Sequence, residues 1–164
     1  MNRPLVSVIM PVYNGEKYIK RAVESVYEQG ISLELLVIDD GSTDGTEEVL
    51  SAYEGREDFR YIKNKENMGA ARSRNRGVQE AVGEYVAFLD ADDWWDRGKL
   101  KEQLGILEKT GLVMCSTGRE LMKADGSDTG RYIPVREKIR YRDLLKHNCI
   151  NCSSVLIRRE AALE

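Results

Sequence analysis

Between Leu5 and Leu89 the chain alternates two hydrophobic rhythms. Leu5-Val6-Ser7-Val8-Ile9-Met10 is an almost unbroken apolar run rich in β-branched residues, stopped by Pro11 and Asn14-Gly15. Such a run predicts a strand covered on both faces. Tyr18/Ile19, Ala22/Val23 and Val26/Tyr27 then recur at helical spacing, and Gly30 closes that helix. Residues 33–38 predict a second strand, running out into Asp39-Asp40-Gly41-Ser42. A helix follows around Val49, Leu50 and Tyr53, with Asp44 and Glu47 at the spacing of a capping box. Residues 59–62 predict a short third strand, 69–82 a helix, and 85–89 a fourth strand ending in Asp90-Ala91-Asp92-Asp93.

Strands and helices in strict alternation predict an open, mostly parallel α/β sheet flanked by helices, with right-handed crossovers. After a helix over 99–110 the rhythm changes. Residues 112–116 and 120–123 predict strands, and Asp125-Gly126 is a hairpin signal between 124 and 127. A short helix over 141–147 and a last strand over 153–157 complete the chain. The C-terminal third is thus expected to carry a small antiparallel element. No repeat, low-complexity tract or linker interrupts the sequence, so 1–164 reads as a single domain.

Composition narrows the classes. The 164 residues hold 25 Lys+Arg against 28 Asp+Glu, a net charge of −3. That excludes a global electrostatic drive toward nucleic acid or an anionic membrane. No apolar run reaches the length of a transmembrane segment, and the first run is too short for a signal peptide. Three cysteines, an odd number, fit a reducing compartment. The expected location is the cytoplasm or the cytoplasmic face of a membrane.

In an open α/β sheet, ligands bind beyond the carboxyl ends of the strands. Pro11-Val12-Tyr13-Asn14, Asp39-Asp40 and Asp90, Asp92, Asp93 all fall on that rim. Acids crowded on one edge repel unless a cation or ligand donors sit among them. On the helix over 69–82, about 100° per residue makes Ala71, Asn75, Val78 and Val82 the buried stripe. Arg74 lies beside it, whereas Arg72 and Arg76 face water. Carboxylates suited to a hard divalent ion, with a half-buried arginine, fit a metal-bound diphosphate. Each feature also has a plain structural reading: capping acids at 39–42, a solvated loop at 90–93, packing for Trp94 and Trp95. Cys149-x-x-Cys152 beside His147 has the spacing of a zinc half-site or redox pair, but no second ligand pair accompanies it, and buried inert thiols are the better reading. Neither a P-loop nor G-x-G-x-x-G occurs.

Val-Ser-Val-Ile-Met-Pro-Val-Tyr-Asn at 6–14, Leu-Leu-Val-Ile-Asp-Asp-Gly-Ser-Thr-Asp-Gly-Thr at 35–46, Glu-Asn-Met-Gly-Ala-Ala-Arg-Ser-Arg-Asn-Arg-Gly at 66–77 and Phe-Leu-Asp-Ala-Asp-Asp at 88–93 resemble, in order and spacing, the family 2 glycosyltransferases. The resemblance implies a GT-A fold and an inverting, metal-dependent sugar transfer. It implies that 1–93 is the nucleotide-sugar half and 94–164 the start of the acceptor side. Pro11, Val12 and Tyr13 would line the nucleoside pocket. Asp39 would read the uracil edge with Asp40 behind it. Asn67, Gly69 and Arg74 would close over the nucleoside. Asp90 and Asp92 match the D-x-D that holds ribose and Mn2+ or Mg2+. Ser73 replaces the family's usual alanine, and Arg97-Gly98 stands where a proline is common. No acid after Asp128 matches the context of the family's general base, which the resemblance puts beyond residue 164.

The expected activity is transfer of a sugar from a nucleoside-diphosphate donor, a UDP-sugar first, to a hydroxyl of a glycan or lipid-linked acceptor in polysaccharide or cell-surface glycan synthesis. A module that binds nucleotide sugar without transferring it is the first alternative. A phospho-receiver or aspartyl phosphatase is the second. It is disfavoured because Asp90-x-Asp92 comes on the fourth strand without a following Thr or Val.

Overall fold

The computed structural model describes residues 3–136, 141–145 and 149–164. Four parallel strands form its centre: β1 (Val6–Val12), β2 (Leu33–Asp39), β3 (Phe59–Lys63) and β4 (Tyr85–Phe88). Between them lie α1 (Ile19–Tyr27), α2 (Thr46–Ser51) and α3 (Ala70–Glu80). Every residue of β1 and β2 is buried, as an unbroken apolar run requires of a sheet covered on both faces. Two polar side chains within these strands satisfy each other. Ser7 donates to the buried Glu34 carboxylate at 2.5 Å, which also accepts from the Val82 N–H at 2.8 Å.

The strand order is β3-β2-β1-β4, continued by β8 (Leu156–Arg158) and β5 (Met114–Cys115). Both added strands run antiparallel, β8 against β4 and β5 against β8. A separate two-stranded hairpin, β6 (Arg119–Met122) and β7 (Asp128–Ile133), turns on Asp125-Gly126, with Gly126 at φ 81. The chain lays down β2 and β3 on one side of β1 and then returns to place β4 on the other. That reversal opens a crevice at the carboxyl ends of β1 and β4.

The α/β class, the parallel core and the antiparallel C-terminal element agree with the sequence reading. α4 (Lys99–Thr110) has the expected bounds. Other details differ. The last strand, expected over 153–157, is a 3₁₀ turn (Cys152–Ser154) followed by β8. β7 and a terminal turn of helix, α6 (Arg159–Ala162), lack a sequence signal, because β7 is exposed along most of its length and α6 has no buried residue. α5 (Tyr141–Leu144) covers the described part of the helix expected over 141–147. The capping box at α2 does not form: Asp44 accepts from the Thr46 N–H at 3.0 Å, but Glu47 pairs with Lys63 instead of turning back.

The buried face of α3 is also not the one expected. Ser73, Gly77 and Val78 are buried, while Ala71, Asn75 and Val82 are exposed. Small residues, not large ones, mark this face because the helix lies close on the sheet. A Cβ on Gly77 would stand 2.4 Å from Cγ2 of the fully buried Ile9. Gly77→Ala is therefore expected to destabilise by about 1–3 kcal/mol, as overpacking does. Urea denaturation checks it, and an unchanged midpoint would show that the helix can lift at no cost.

Candidate functional site

The crevice is a cleft of about 510 Å3 lined by the exits of β1, β2 and β4 and by the start of α3. Its first wall is the loop after β1. Asn14 takes φ 54, a conformation asparagine tolerates better than most side chains. Gly15 follows because a Cβ there would meet Val12 at 2.5 Å. This loop is laced to the one after β2. Asn14 N–H donates to Ser42 Oγ at 2.9 Å, Thr43 N–H to Asn14 Oδ1 at 2.9 Å, Gly15 N–H to Thr46 Oγ1 at 2.9 Å and Gly45 N–H to Glu16 Oε2 at 2.7 Å. Pro11, Val12 and Tyr13 line the cleft on this frame. Tyr13 and Tyr18, 51% and 40% exposed, present open rings to it.

The adjacent acids Asp39 and Asp40 have different surroundings. Asp39 is fully buried and is not among the cleft-lining residues. Its oxygens accept from Ser42 N–H at 2.8 Å and from the Tyr61 hydroxyl at 2.5 Å. Burial, and then the bond to Asp39, pushes the Tyr61 phenol far up, so it stays a donor. Asp40 lines the cleft. Oδ1 accepts from Asn64 Nδ2 at 2.7 Å and Met68 N–H at 3.0 Å, and Oδ2 from Gly69 N–H at 2.7 Å. Burial raises the Asp40 carboxyl, but the donors from Met68, Asn64, Gly69 and Ser73 outweigh it and hold it below the usual range. Asp40 thus fixes the 64–69 loop against the strand end, with Gly69 at φ 89.

Asn67, Gly69 and Arg74 all line the cleft, as do Asp90 and Asp92. Arg74 is half-buried, 22% exposed, and its guanidinium reaches Asp90 at 2.5 Å. Its Nε is buried with no partner among the described residues. A buried unsatisfied donor at a cleft wall points to a ligand acceptor. Asp92 is exposed, and no donor among the described residues bonds it. Two carboxylates at a cleft mouth, one of them uncommitted, fit a hard divalent ion that takes its remaining oxygens from a diphosphate. No group of three ligating side chains gathers among the described residues, so the protein by itself offers only part of a coordination shell.

Ser153 carries no sequence signal, yet it anchors the acidic loop. Its hydroxyl donates to Asp93 Oδ2 at 2.5 Å and accepts from Asp90 N–H at 3.1 Å, while its carbonyl accepts from Trp95 Nε1 at 2.7 Å. Burial, then the charges of Asp92 and Asp90, push the Asp93 carboxyl up against the pull of Ser153 and of the Arg119 charge. Trp95 is buried as packing, whereas Trp94 is capped by Arg21, 3.3 Å from the ring centre. Cys115, Cys149 and Cys152 are free thiols, and His147 lies outside the described residues.

The family model described as Glycosyl transferase family 2 matches residues 7–164. TuaG of Bacillus subtilis (strain 168), named as a teichuronic acid biosynthesis glycosyltransferase, is 41% identical over 96% of this chain and 64% of its own length. WfgD of Escherichia coli, named as a UDP-Glc:alpha-D-GlcNAc-diphosphoundecaprenol beta-1,3-glucosyltransferase, is 36% identical over 97% of this chain and 62% of its own. The chain therefore spans just under two thirds of these relatives. Among solved structures, Staphylococcus aureus TarS 1–349 in complex with UDP-GlcNAc superposes with a TM-score of 0.74 at 25% identity, over 94% of this chain and 45% of that one. The mannosyltransferase PcManGT of Pyrobaculum calidifontis, in complex with GDP-Man and Mn2+, gives 0.71 at 25% identity, over 98% of this chain and 46% of that one. The fold is of the GT-A type, and the chain belongs to glycosyl transferase family 2.

Proposed function

We propose that the cleft binds a nucleoside-diphosphate sugar, a UDP-sugar first, and that the chain is the donor side of an inverting hexosyltransferase. The acceptor is a hydroxyl of a glycan or lipid-linked saccharide, and the setting is bacterial polysaccharide synthesis in the cytoplasm or at its membrane face. The observation that carries this reading is the convergence of Asp40, Arg74, Asp90 and Asp92 on one cleft at the point where the strand order reverses. The donor complexes named for TarS and PcManGT support it. Residues 1–93 form the donor half and 94–164 begin the acceptor side of one domain.

In this reading the base lies toward Asp40, not Asp39. Asp40 keeps acceptor capacity on Oδ2, whereas Asp39 is sealed behind Tyr61. Tyr13 gives the base a stacking face. Arg74 turns from Asp90 to the diphosphate, which satisfies its orphaned Nε as well. Asp92, with Asp90, would hold Mn2+ or Mg2+, which when bound neutralises charge on the leaving diphosphate. Arg74 supplies the same stabilisation from fixed dipoles and charge.

A second reading has its own observation. The acids lining the cleft are Asp40, Asp90 and Asp92, each with a role other than general base, and Asp128 accepts from Gly130 N–H on the exposed β7. A chain that binds donor without transferring it fits that set. Titration calorimetry tests the shared step. UDP is expected to bind more tightly than CDP by about tenfold, because cytosine has no N3–H to donate to a carboxylate. Asp39→Asn should keep that preference. Equal affinity for UDP and CDP would overturn the assignment.

A further inference from the structure

A second cavity, of about 190 Å3, opens beside the 151–154 segment, whose Ser153 anchors the acidic loop. It is smaller than the roughly 300–1,000 Å3 of a typical small-molecule pocket, so it suits one compact group and not a whole saccharide. Arg119 and Arg136 line it, with the hydroxyls of Ser116 and Thr117 and the side chain of Asn151. Among the described residues no carboxylate lines it and neither arginine has an ion pair. Arg56, Arg60, Arg74, Arg97 and Arg158, by contrast, are each paired with an acid. Asn151 spends its carbonyl oxygen on Ser153 N–H at 2.8 Å, which leaves its amide N–H groups free to donate. The cavity thus offers two arginines and an amide as donors, and the acid whose charge Arg119 feels, Asp93, is already held by Ser153.

Its position relates it to the main cleft. Asn151 and Ser154 line the cavity, and Ser153 between them holds Asp93 and the Asp90 N–H. The segment 151–154 thus joins the lining of this cavity to the acidic loop of the main cleft. A group seated on the arginines would stand beside the loop that carries Asp90 and Asp92 into the main cleft. Arginine forks match phosphate oxygens in geometry as well as charge.

We infer that this second cavity takes the phosphate or diphosphate of the acceptor, an inference that rests on reading the main cleft as the donor site. It binds a phosphoester whose sugar then reaches toward Asp92 and Asp93. The phosphoester comes either from a soluble sugar phosphate or from a lipid-linked sugar diphosphate.

The test loads the chain with saturating UDP and Mg2+, which fills the main cleft, and titrates inorganic phosphate while following arginine Nε–H resonances. Saturable binding is expected, at least tenfold weaker in Arg119→Gln/Arg136→Gln. UDP affinity and thermal midpoint should be unchanged in that variant, which controls for folding. Glucose 1-phosphate and a short-chain lipid-linked sugar diphosphate in micelles, used in separate titrations, identify the source by which binds more tightly. No phosphate binding to the UDP-loaded chain, or equal binding by the double variant, overturns the inference. Failure of UDP itself to bind is a different result: it removes the donor reading and with it the acceptor assignment.

Discussion

Asp40→Ala is expected to weaken UDP binding at least a hundredfold and to lower stability by about 2–4 kcal/mol. The residue is 2% exposed and accepts from Asn64, Met68 and Gly69. Removing it strands two backbone N–H groups and a buried amide, each worth about 1–3 kcal/mol when left unpaired, partly relieved as the 64–69 loop finds water. That loop carries Asn67 and Gly69 into the cleft, so binding fails through lost shape as well as a lost acceptor. Asp39→Asn separates the roles. Its amide oxygen keeps Ser42 and its NH2 can donate to the Tyr61 oxygen, so UDP affinity should stay within about threefold. Titration calorimetry and urea denaturation on both variants check this. A tight-binding Asp40→Ala would return the base-reading role to Asp39.

The same carboxylate gives a signed pH dependence. Its native value is held below the ordinary 3.8, so its contribution is intact above that value and is lost as pH falls through the lowered one. The gap in thermal midpoint between wild type and Asp40→Ala should therefore hold from neutral pH down to about 4 and narrow below it. A gap that narrows on the alkaline side would contradict the hydrogen-bond account.

What could be read from the sequence followed where a physical signal was strong. Both-face burial writes itself as Leu-Leu-Val-Ile or Val-Ser-Val-Ile, and β1 and β2 were placed within a residue or two. The acids at 39–40 and 90–93 stood on one rim because parallel strands point their carboxyl ends one way. Close approach has no such script. α3 packs through Ser73, Gly77 and Val78, and a stripe drawn at about 100° per residue through Ala71, Asn75, Val78 and Val82 meets that face only at Val78. Polar pairing is equally silent. Nothing in Asp-Asp distinguishes the acid sealed by Tyr61 from the one that faces the cleft. Ser153, far along the chain, gives no sign that its hydroxyl bridges Asp90 and Asp93. The exposed β7 shows that a strand which buries little leaves little pattern to read.

Removal of divalent metal is expected to weaken UDP binding by about a hundredfold. The diphosphate must approach Asp90, Asp92 and Asp93, and at roughly 6 Å with an effective dielectric of about 20 each like-charge pair costs about 3 kcal/mol. Arg74, which turns from Asp90 to the diphosphate in this reading, offsets one such pair. Asp93 is sheltered by Ser153, and its raised carboxyl takes up a proton more readily than an ordinary one. The uncompensated charge is then that of Asp92, exposed and unbonded, and it is the carboxylate on which the metal effect should depend. Titrating UDP in Mg2+, in Mn2+ and in EDTA measures the effect directly. Asp92→Ala should lose most of the gain from metal and bind UDP in EDTA somewhat better than wild type, since the repulsion leaves with the carboxylate. Its stability should stay within about 0.5 kcal/mol, as for a surface substitution that breaks no contact. Equal UDP affinity with metal and with chelator would sink the metal-bound diphosphate and leave Arg74 as the sole counter-charge at the cleft.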